Sequence, residues 1–353
     1  MENIVYKFKY EGTPVATKEF GNGHINRSYV VTTDKEKKYV LQHINPEVFH
    51  DGPGLMKNAI AVSEHIVKKD GKESSALNFI LSNEGEYFAR DDDGACWRSY
   101  EFVDALCFEH PDTPHDLYKV GVAFGKFQSQ LDDYDASSLI ETIPKFHDTP
   151  NRFSDFKRAV ENDKMGRRSS VEEDIAFALE RETFGSTLTD MFNRGQIPLR
   201  VTHNDTKINN VLFDKTTREP LCIIDLDTVM PGLIAYDVGE AVRTGASTGD
   251  EDERDLNKVN FDIEMFRAFI KGFLENCPEL SENEKNTLVI GPKMMALENG
   301  IRFLGDYLNG DTYFAISYED QNLCRARAQF KLLEDMEKYE EEMKAAVDEV
   351  LNG

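Results

Sequence analysis

The chain has 353 residues with 65 acidic against 41 basic side chains, a formal charge of −24 at pH 7, and 40% hydrophobic residues. So acidic a polymer repels nucleic acid and anionic membrane surfaces, and a polyanionic ligand must be drawn in by local positive groups or a metal. The length suits two domains, or one with a large insertion, and the five cysteines (Cys96, Cys107, Cys222, Cys277 and Cys324) form no Cys-x-x-Cys pair, which favours reduced thiols in a cytoplasm over disulfides or a zinc site.

The N-terminus Met1-Glu-Asn-Ile-Val-Tyr-Lys-Phe-Lys9 lacks the basic and long apolar regions of a signal peptide, and no apolar run reaches membrane-spanning length. Residues 1–15 show little periodicity and lead into the fold. Strand patterns begin near Glu19: Arg27–Thr32 and Tyr39–Gln42 flank a polar Thr33–Lys38 turn, which predicts a β-hairpin. Gly21-Asn-Gly-His-Ile-Asn26 precedes it; two glycines one residue apart either let backbone N–H groups approach a phosphate or form an ordinary turn. Leu55 to Lys69 has helical apolar spacing after Pro53-Gly54, with Glu64 either an acidic partner in a site or a solvated side chain. Ala76–Phe88 and Trp97–Val103 read as strands. From Thr113 onward the pattern is mostly helical: Leu117–Leu131, a polar Lys164–Arg194 stretch, Phe261–Leu274, Glu284–Leu308, and one charged helix over Gln329–Val350 whose Glu340–Glu342 run is a solvated face. Phe146–Pro150 reads as a loop, with His147 either a structural hydrogen bonder or a substrate contact. A boundary near residue 105 separates a small β-rich lobe, 1–104, from a larger helical lobe, 105–353.

The chemistry concentrates in Val201-Thr-His-Asn-Asp-Thr-Lys-Ile-Asn-Asn-Val-Leu-Phe213 and Leu221-Cys-Ile-Ile-Asp-Leu-Asp227. Two strand-like runs around the polar Lys215–Pro220 loop predict a second hairpin. It brings Asp225, after its second strand, near Asp205, Lys207 and Asn210, before its first. A base, a cation and two oxygen ligands gathered this way serve metal-assisted phosphoryl transfer. His203-Asn-Asp205 followed by Lys207 and Asn210 reproduces the spacing of a kinase catalytic loop.

On these residues the chain resembles the aminoglycoside phosphotransferase and choline kinase superfamily. Gly21–Asn26, Phe146–Pro150, Leu199–Lys207, Ile224–Thr228, Met230–Gly232, Gly245–Thr248 and Arg302–Tyr307 make it similar, over almost its whole length, to the N-acetylhexosamine 1-kinases within it. The resemblance implies an α+β, protein-kinase-like fold with a small β-rich N-lobe and a large, mainly helical C-lobe. It implies ATP and Mg²⁺ as cofactors, with a catalytic loop at 203–210, a metal loop at 225–227 and a hinge at about 101–104. Gly21, Gly23, His24, Asn26, Gln42, Glu101, Val103 and Asp104 are then the nucleotide-binding candidates. Gln42 stands where such folds usually carry a phosphate-binding lysine, and it brings no charge. Asp205 accepts or orients the proton of the attacking hydroxyl, Lys207 stabilises the moving phosphoryl group, and Asn210 and Asp225 hold Mg²⁺. Asp227 is either a further metal-site residue or an organiser of the loop. Asp237 and Arg243 support the loop. Arg302 and Tyr313 carry over as sugar contacts beside Asp205, although Arg302, four residues before Asp306, can equally form an ion pair along the helix.

The expected reaction is direct in-line phosphorylation, without a phosphoenzyme, of the anomeric hydroxyl of N-acetylglucosamine or N-acetylgalactosamine. The expected partners are ATP and that sugar, with no nucleic acid or membrane, and the expected assembly is a monomer. Homoserine, choline or an aminoglycoside as acceptor, and a non-catalytic nucleotide- or sugar-binding module, are the alternatives.

Overall fold

The computed structural model describes residues 3–21 and 25–352. Their backbone divides into two compact units, the first made of Met1–Cys107, Gln130–Pro144 and Asn210–Pro231, the second of Phe108–Ser129, Lys145–Asn209 and Gly232–Gly353. The α+β class follows the sequence expectation: the first unit is built on an antiparallel sheet and the second is helical. Among the described residues no helix is long and apolar enough to cross a membrane.

In the first unit β1 (Pro14–Glu19), β2 (Arg27–Thr33), β3 (Lys38–His43), β4 (Ala89–Arg90) and β5 (Cys96–Glu101) form one sheet in the order β1-β2-β3-β5-β4, every pair antiparallel. β-Branched and aromatic residues fit this pleated surface, and the expected hairpin is β2–β3. Val31, Tyr39, Leu41 and Trp97 pack against Ile4, Val5 and Phe8. The N-terminal residues are therefore core, and β1 begins at Pro14, earlier than the sequence pattern suggests. Their apolar side chains sit on a short 3-10 turn over Ile4–Lys7, too short to show a period.

Ala76–Phe88 is not a strand. It touches β5 through Ile80 N–H to Ser99 O (2.8 Å) and Glu101 N–H to Asn78 O (2.9 Å), then leaves it at a turn where Gly85 N–H bonds Ser82 O (3.0 Å) with Gly85 at φ +90°. A left-handed glycine turns the chain out of the ladder. Helix α1 (Gly52–Asp70) starts at Asp51, whose carboxylate accepts the Gly54 N–H, and ends at left-handed Gly71. Glu64 is exposed, as in its solvated reading. Asn58, buried on the other face, donates to Ile140 O (2.8 Å) and Val229 O (2.9 Å), which ties all three stretches of this unit together.

In the second unit α2 (Pro114–Gln130) is followed by α3 (Thr149–Asn162), the short helices α4 (Glu172–Glu180), α5 (Glu182–Gly185) and α6 (Thr187–Asn193), and strand β6 (Arg200–Thr202). Helix α3 starts inside the stretch expected to be a loop. Asp148 caps it by accepting the Asn151 N–H, and Pro150 sits in its first turn. Strands β7 (Val211–Phe213) and β8 (Pro220–Ile223) in the first unit form the second expected hairpin, and β9 (Met230–Gly232) follows.

Helices α7 (Ile234–Gly245), α8 (Ile263–Leu274) and α9 (Glu282–Asn309) come next in the second unit. Ser281 and Glu284 close a capping box at the start of α9. Its Leu297, Ile301, Leu304 and Leu308 pack with Phe153, Phe156, Phe330 and Leu333, each large side chain contributing about 1.5–3 kcal/mol by leaving water. Helices α7 and α9 meet backbone to backbone: a Cβ on Gly291 would lie 2.2 Å from Ala235 O, and one on Gly239 would lie 2.6 Å from Gly291 O. The single C-terminal helix expected over Gln329–Val350 is two, α10 (Gln321–Lys338) and α11 (Glu340–Asn352), broken at Tyr339. The break buries Met343, Ala346 and Val347 and lets Glu340 accept from Lys293 Nζ at 2.5 Å, so the acidic run is only partly a solvated face.

Candidate active site

The 203–210 loop is fixed by α7 and α2. The Asp237 carboxylate, on α7, accepts the N–H of Asn204 at 2.8 Å and of His203 at 3.1 Å, and the Gln128 amide at 2.9 Å. Thr206 Oγ1 donates to Asp237 O at 2.5 Å. The His203 ring is fully buried, edge-on to Phe124 and Phe127, and Asn204 takes the left-handed conformation at φ 65°. Burial pushes the Asp237 carboxyl up from the usual carboxylate range, against the pull of the Asn204 and His203 N–H groups. Asp237 thus supports the loop, as its sequence position suggested.

At the loop's tip Asp205 and Lys207 are partly exposed and form an ion pair, Nζ to Oδ1 at 3.0 Å. The Asp205 carboxylate raises the Lys207 ammonium above its ordinary range, so Lys207 is charged at neutral pH. Beneath it lies the buried pair of Arg243 and Glu240. Burial alone would raise Glu240; Arg243 first, and Lys207 after it, hold it below its ordinary value. Arg243 also reaches Gln329 at 3.2 Å and Glu251 at 3.4 Å, so its role is to brace α7.

In the first unit Ile224 N–H bonds Asn210 O at 2.9 Å, which sets Asn210 beside the residue preceding Asp225. Asp225 is left-handed, φ 59° and ψ 55°, a conformation that Asp tolerates better than bulkier residues. An amide and a carboxylate oxygen suit a hard divalent cation that keeps water and phosphate oxygens as its remaining ligands. Among the described residues no group of three or more His, Cys, Asp or Glu side chains gathers as a metal site. Asp227 is buried, and its carboxylate takes hydrogen bonds from Arg98 and, at 2.5 Å, from Asn26 Nδ2. Asn26 Oδ1 in turn accepts the Asn45 N–H at 3.0 Å. Both side chains are committed to holding the loop.

Gln42 donates to Ser28 Oγ at 2.8 Å and accepts from Arg98 Nε at 2.9 Å. Gly21 is left-handed at φ +78°, and among the described residues nothing lies within contact of where a Cβ would be; Gly23 and His24 lie outside the described residues. At the hinge, Glu101 N–H bonds Asn78 O (2.9 Å) and Phe102 N–H bonds Lys38 O (3.1 Å). The Asp104 side chain pairs with Lys215, and Val103 is half-buried.

The expected acceptor residues lie in the second unit. Arg302, on α9, sits over the rings of Phe146 and Phe314 at 5.7 and 5.3 Å and donates to Asn299 Oδ1 at 3.3 Å. Its expected alternative, an ion pair with Asp306, is not what occupies that carboxylate. Asp306 accepts the N–H groups of Thr312, Tyr313 and Phe314 at 2.9–3.0 Å, and Asn322 Nδ2 at 3.1 Å. It therefore shapes the loop that displays Tyr313, whose side chain is exposed. One turn before Arg302, buried Glu298 accepts from Thr149 Oγ1 at 2.6 Å and meets His147 Nδ1 at 2.8 Å, the structural reading of His147. Burial alone would raise Glu298; His147 first, then Arg302 and Thr149, hold it below its ordinary value.

Arg98, Gln128, Glu240 and Glu298 escaped the sequence reading. An arginine within the Trp97–Val103 strand pattern is a visible oddity, but its partner cannot be read from spacing.

A sequence model described as the phosphotransferase enzyme family matches residues 16–267. Among solved structures the chain is similar to a microcompartment-associated aminopropanol kinase, at 16% identity and TM-score 0.62 over 95% of each chain. It is similar to an aminoglycoside phosphotransferase from Alicyclobacillus acidocaldarius, at 13% identity and TM-score 0.62 over 99% of this chain and 96% of the other. A spectinomycin phosphotransferase solved with ADP and spectinomycin aligns at 14% identity and TM-score 0.59 over 93% and 95%. At such identities these likenesses show a shared kinase-like fold. With the family model spanning well over half of its residues, this chain belongs to the phosphotransferase enzyme family.

Proposed function

We propose that this phosphotransferase moves the γ-phosphoryl group of ATP, with Mg²⁺, onto the anomeric hydroxyl of an N-acetylhexosamine. The observation that carries the reading is Asp205, paired with Lys207 at 3.0 Å on a loop whose backbone is fixed by Asp237. A carboxylate at that position can accept or orient the hydroxyl proton as the oxygen attacks. Lys207 faces the transferring group with a charge maintained at neutral pH. Asn210 and Asp225 would hold Mg²⁺, which when bound neutralises phosphate charge. Nucleotide binding belongs to the first unit, around Gly21, Gln42 and the backbone of Glu101 and Val103, with Gly23 and His24 as further candidates.

The acceptor's identity rests on the second unit. Arg302 and Tyr313 present a fork of donors and an aromatic face, the groups that bind sugar oxygens and sugar rings. Burial pulls Arg152 down from its ordinary range, and the neighbouring Arg302 charge adds to this while Glu298 opposes it. Arg302→Ala tests the assignment: the KM for N-acetylglucosamine should rise roughly tenfold or more, a loss of ~1.4 kcal/mol, with the KM for ATP unchanged. An unchanged sugar KM would move the acceptor site away from Arg302.

A further inference from the structure

Building on that reading, we propose that Arg98 is the side chain that binds the nucleotide's phosphates in this chain, with Gln42 and Asp227 as the residues that position it. Ser28, Gln42 and Arg98 are register partners across three neighbouring strands, Ser28 opposite Gln42 and Gln42 opposite Arg98. Directly paired residues point to the same face of a sheet, so the three polar side chains form one row. Arg98 is only 2% exposed. Its Nε is taken by Gln42 Oε1 at 2.9 Å and its Nη1 by Asp227 Oδ1.

Taking an arginine and an aspartate out of water costs about as much as their pairing returns, so such a pair is weak as a stabiliser and calls for another purpose. The location supplies one. Asp227 is two residues beyond Asp225, and the Asp225 charge also acts on Arg98. The Arg98 guanidinium already donates to a carboxylate oxygen there through Nη1, and phosphate oxygens are acceptors of the same charge and kind that an arginine can take.

The row also explains Gln42. Its amide cannot neutralise a phosphate, and its oxygen is committed to Arg98 Nε. With Nε held by Gln42 from one side, Nη1 is turned to Asp227 on the 225–227 loop. The cation that Gln42 lacks therefore stands one strand over, oriented by Gln42 itself. The Arg98–Asp227 pair keeps that charge in place and neutralised when no nucleotide is bound.

Calorimetric titration of the full chain with MgADP and, separately, with adenosine tests this. For Arg98→Gln the Kd for MgADP should rise roughly ten- to a hundredfold, the range of one or two lost charge-assisted hydrogen bonds, while adenosine affinity stays within about twofold. Gln42→Lys combined with Arg98→Gln should recover part of the MgADP affinity by moving the charge back to β3. If the single variant does not fold, by circular dichroism and Tm, Arg98→Gln with Asp227→Asn takes its place, read against Asp227→Asn alone. Unchanged MgADP affinity, or an equal loss for adenosine, would overturn the role of Arg98 and leave the kinase reading standing. A wild-type chain that binds neither ligand would overturn both.

Discussion

The carboxylate of Asp237 receives the main-chain N–H of Asn204 at 2.8 Å, so a helix residue 33 positions further on fixes the backbone one residue before Asp205. The loop's geometry is thereby set by α7 rather than by the loop's own sequence. Asp237→Ala leaves two buried N–H groups and the Gln128 amide without their acceptor, at roughly 1–3 kcal/mol for each buried donor. Urea denaturation should show a loss of at least ~2 kcal/mol, and the remaining folded protein should lose kcat more than it gains KM. A variant with wild-type stability and kcat would remove Asp237 from this role.

The contact of α7 with α9 depends on the absence of a side chain at Gly291. A Cβ there would come within 2.2 Å of Ala235 O, a backbone atom that cannot swing aside. Gly291→Ala should cost about 1–3 kcal/mol through overpacking, despite alanine's better helix propensity. Chemical denaturation checks it; a stabilised variant would mean that the helices separate without penalty.

Glu298 gives stability a pH dependence whose sign can be worked out. Its folded pKa is depressed by His147, Arg302 and Thr149 against the opposing effect of burial. Its contribution is therefore present above the unfolded value of about 4.3 and is lost as pH falls below it toward the folded value. At pH 7 Glu298→Gln should destabilise the chain by roughly 1–3 kcal/mol, the cost of leaving buried polar partners imperfectly bonded. Urea midpoints of the two proteins should converge between about pH 4.3 and the acid limit of folding. A gap independent of pH would assign the effect to packing.

What was legible in the sequence was what period and local chemistry encode. The hairpins β2–β3 and β7–β8 show as apolar runs around polar turns, and α1, α2, α8 and α9 as helical spacing. The string from His203 to Asp225 showed its chemistry because the groups lie close along the chain. Three features stayed hidden for physical reasons. The start of α3 was signalled by Asp148 and Pro150, a cap and a first-turn proline easily read as a loop. The division of α10 from α11 is imposed by the burial of Met343 and Val347, a tertiary demand with no local mark. The Gln42–Arg98 and Arg98–Asp227 contacts join residues 56 and 129 positions apart; strand register makes the first and a tertiary approach of the 225–227 loop makes the second.

The thiols should react in the order of their exposure. Burial pushes Cys222 up to about 12, and Cys96 and Cys277 up to about 11, which keeps each protonated at neutral pH. Cys107 is exposed. Thiolates are the reacting species, so iodoacetamide at pH 8 should label Cys107 well before those three, which become reactive on unfolding. Peptide mass mapping over time would show it; early labelling of Cys222 would contradict the packing of β8.

The most direct test of the proposed activity is ADP release with Mg²⁺-ATP and N-acetylglucosamine or N-acetylgalactosamine, with phosphorus and carbon NMR of the product and Asp205→Asn in parallel. The expected result is phosphate on C1 of the sugar, with kcat reduced by about 10²–10⁴ in the folded variant. Turnover on galactose, choline, homoserine or kanamycin with none on the N-acetylhexosamines would contradict the acceptor assignment, and undiminished turnover in Asp205→Asn would contradict the mechanism.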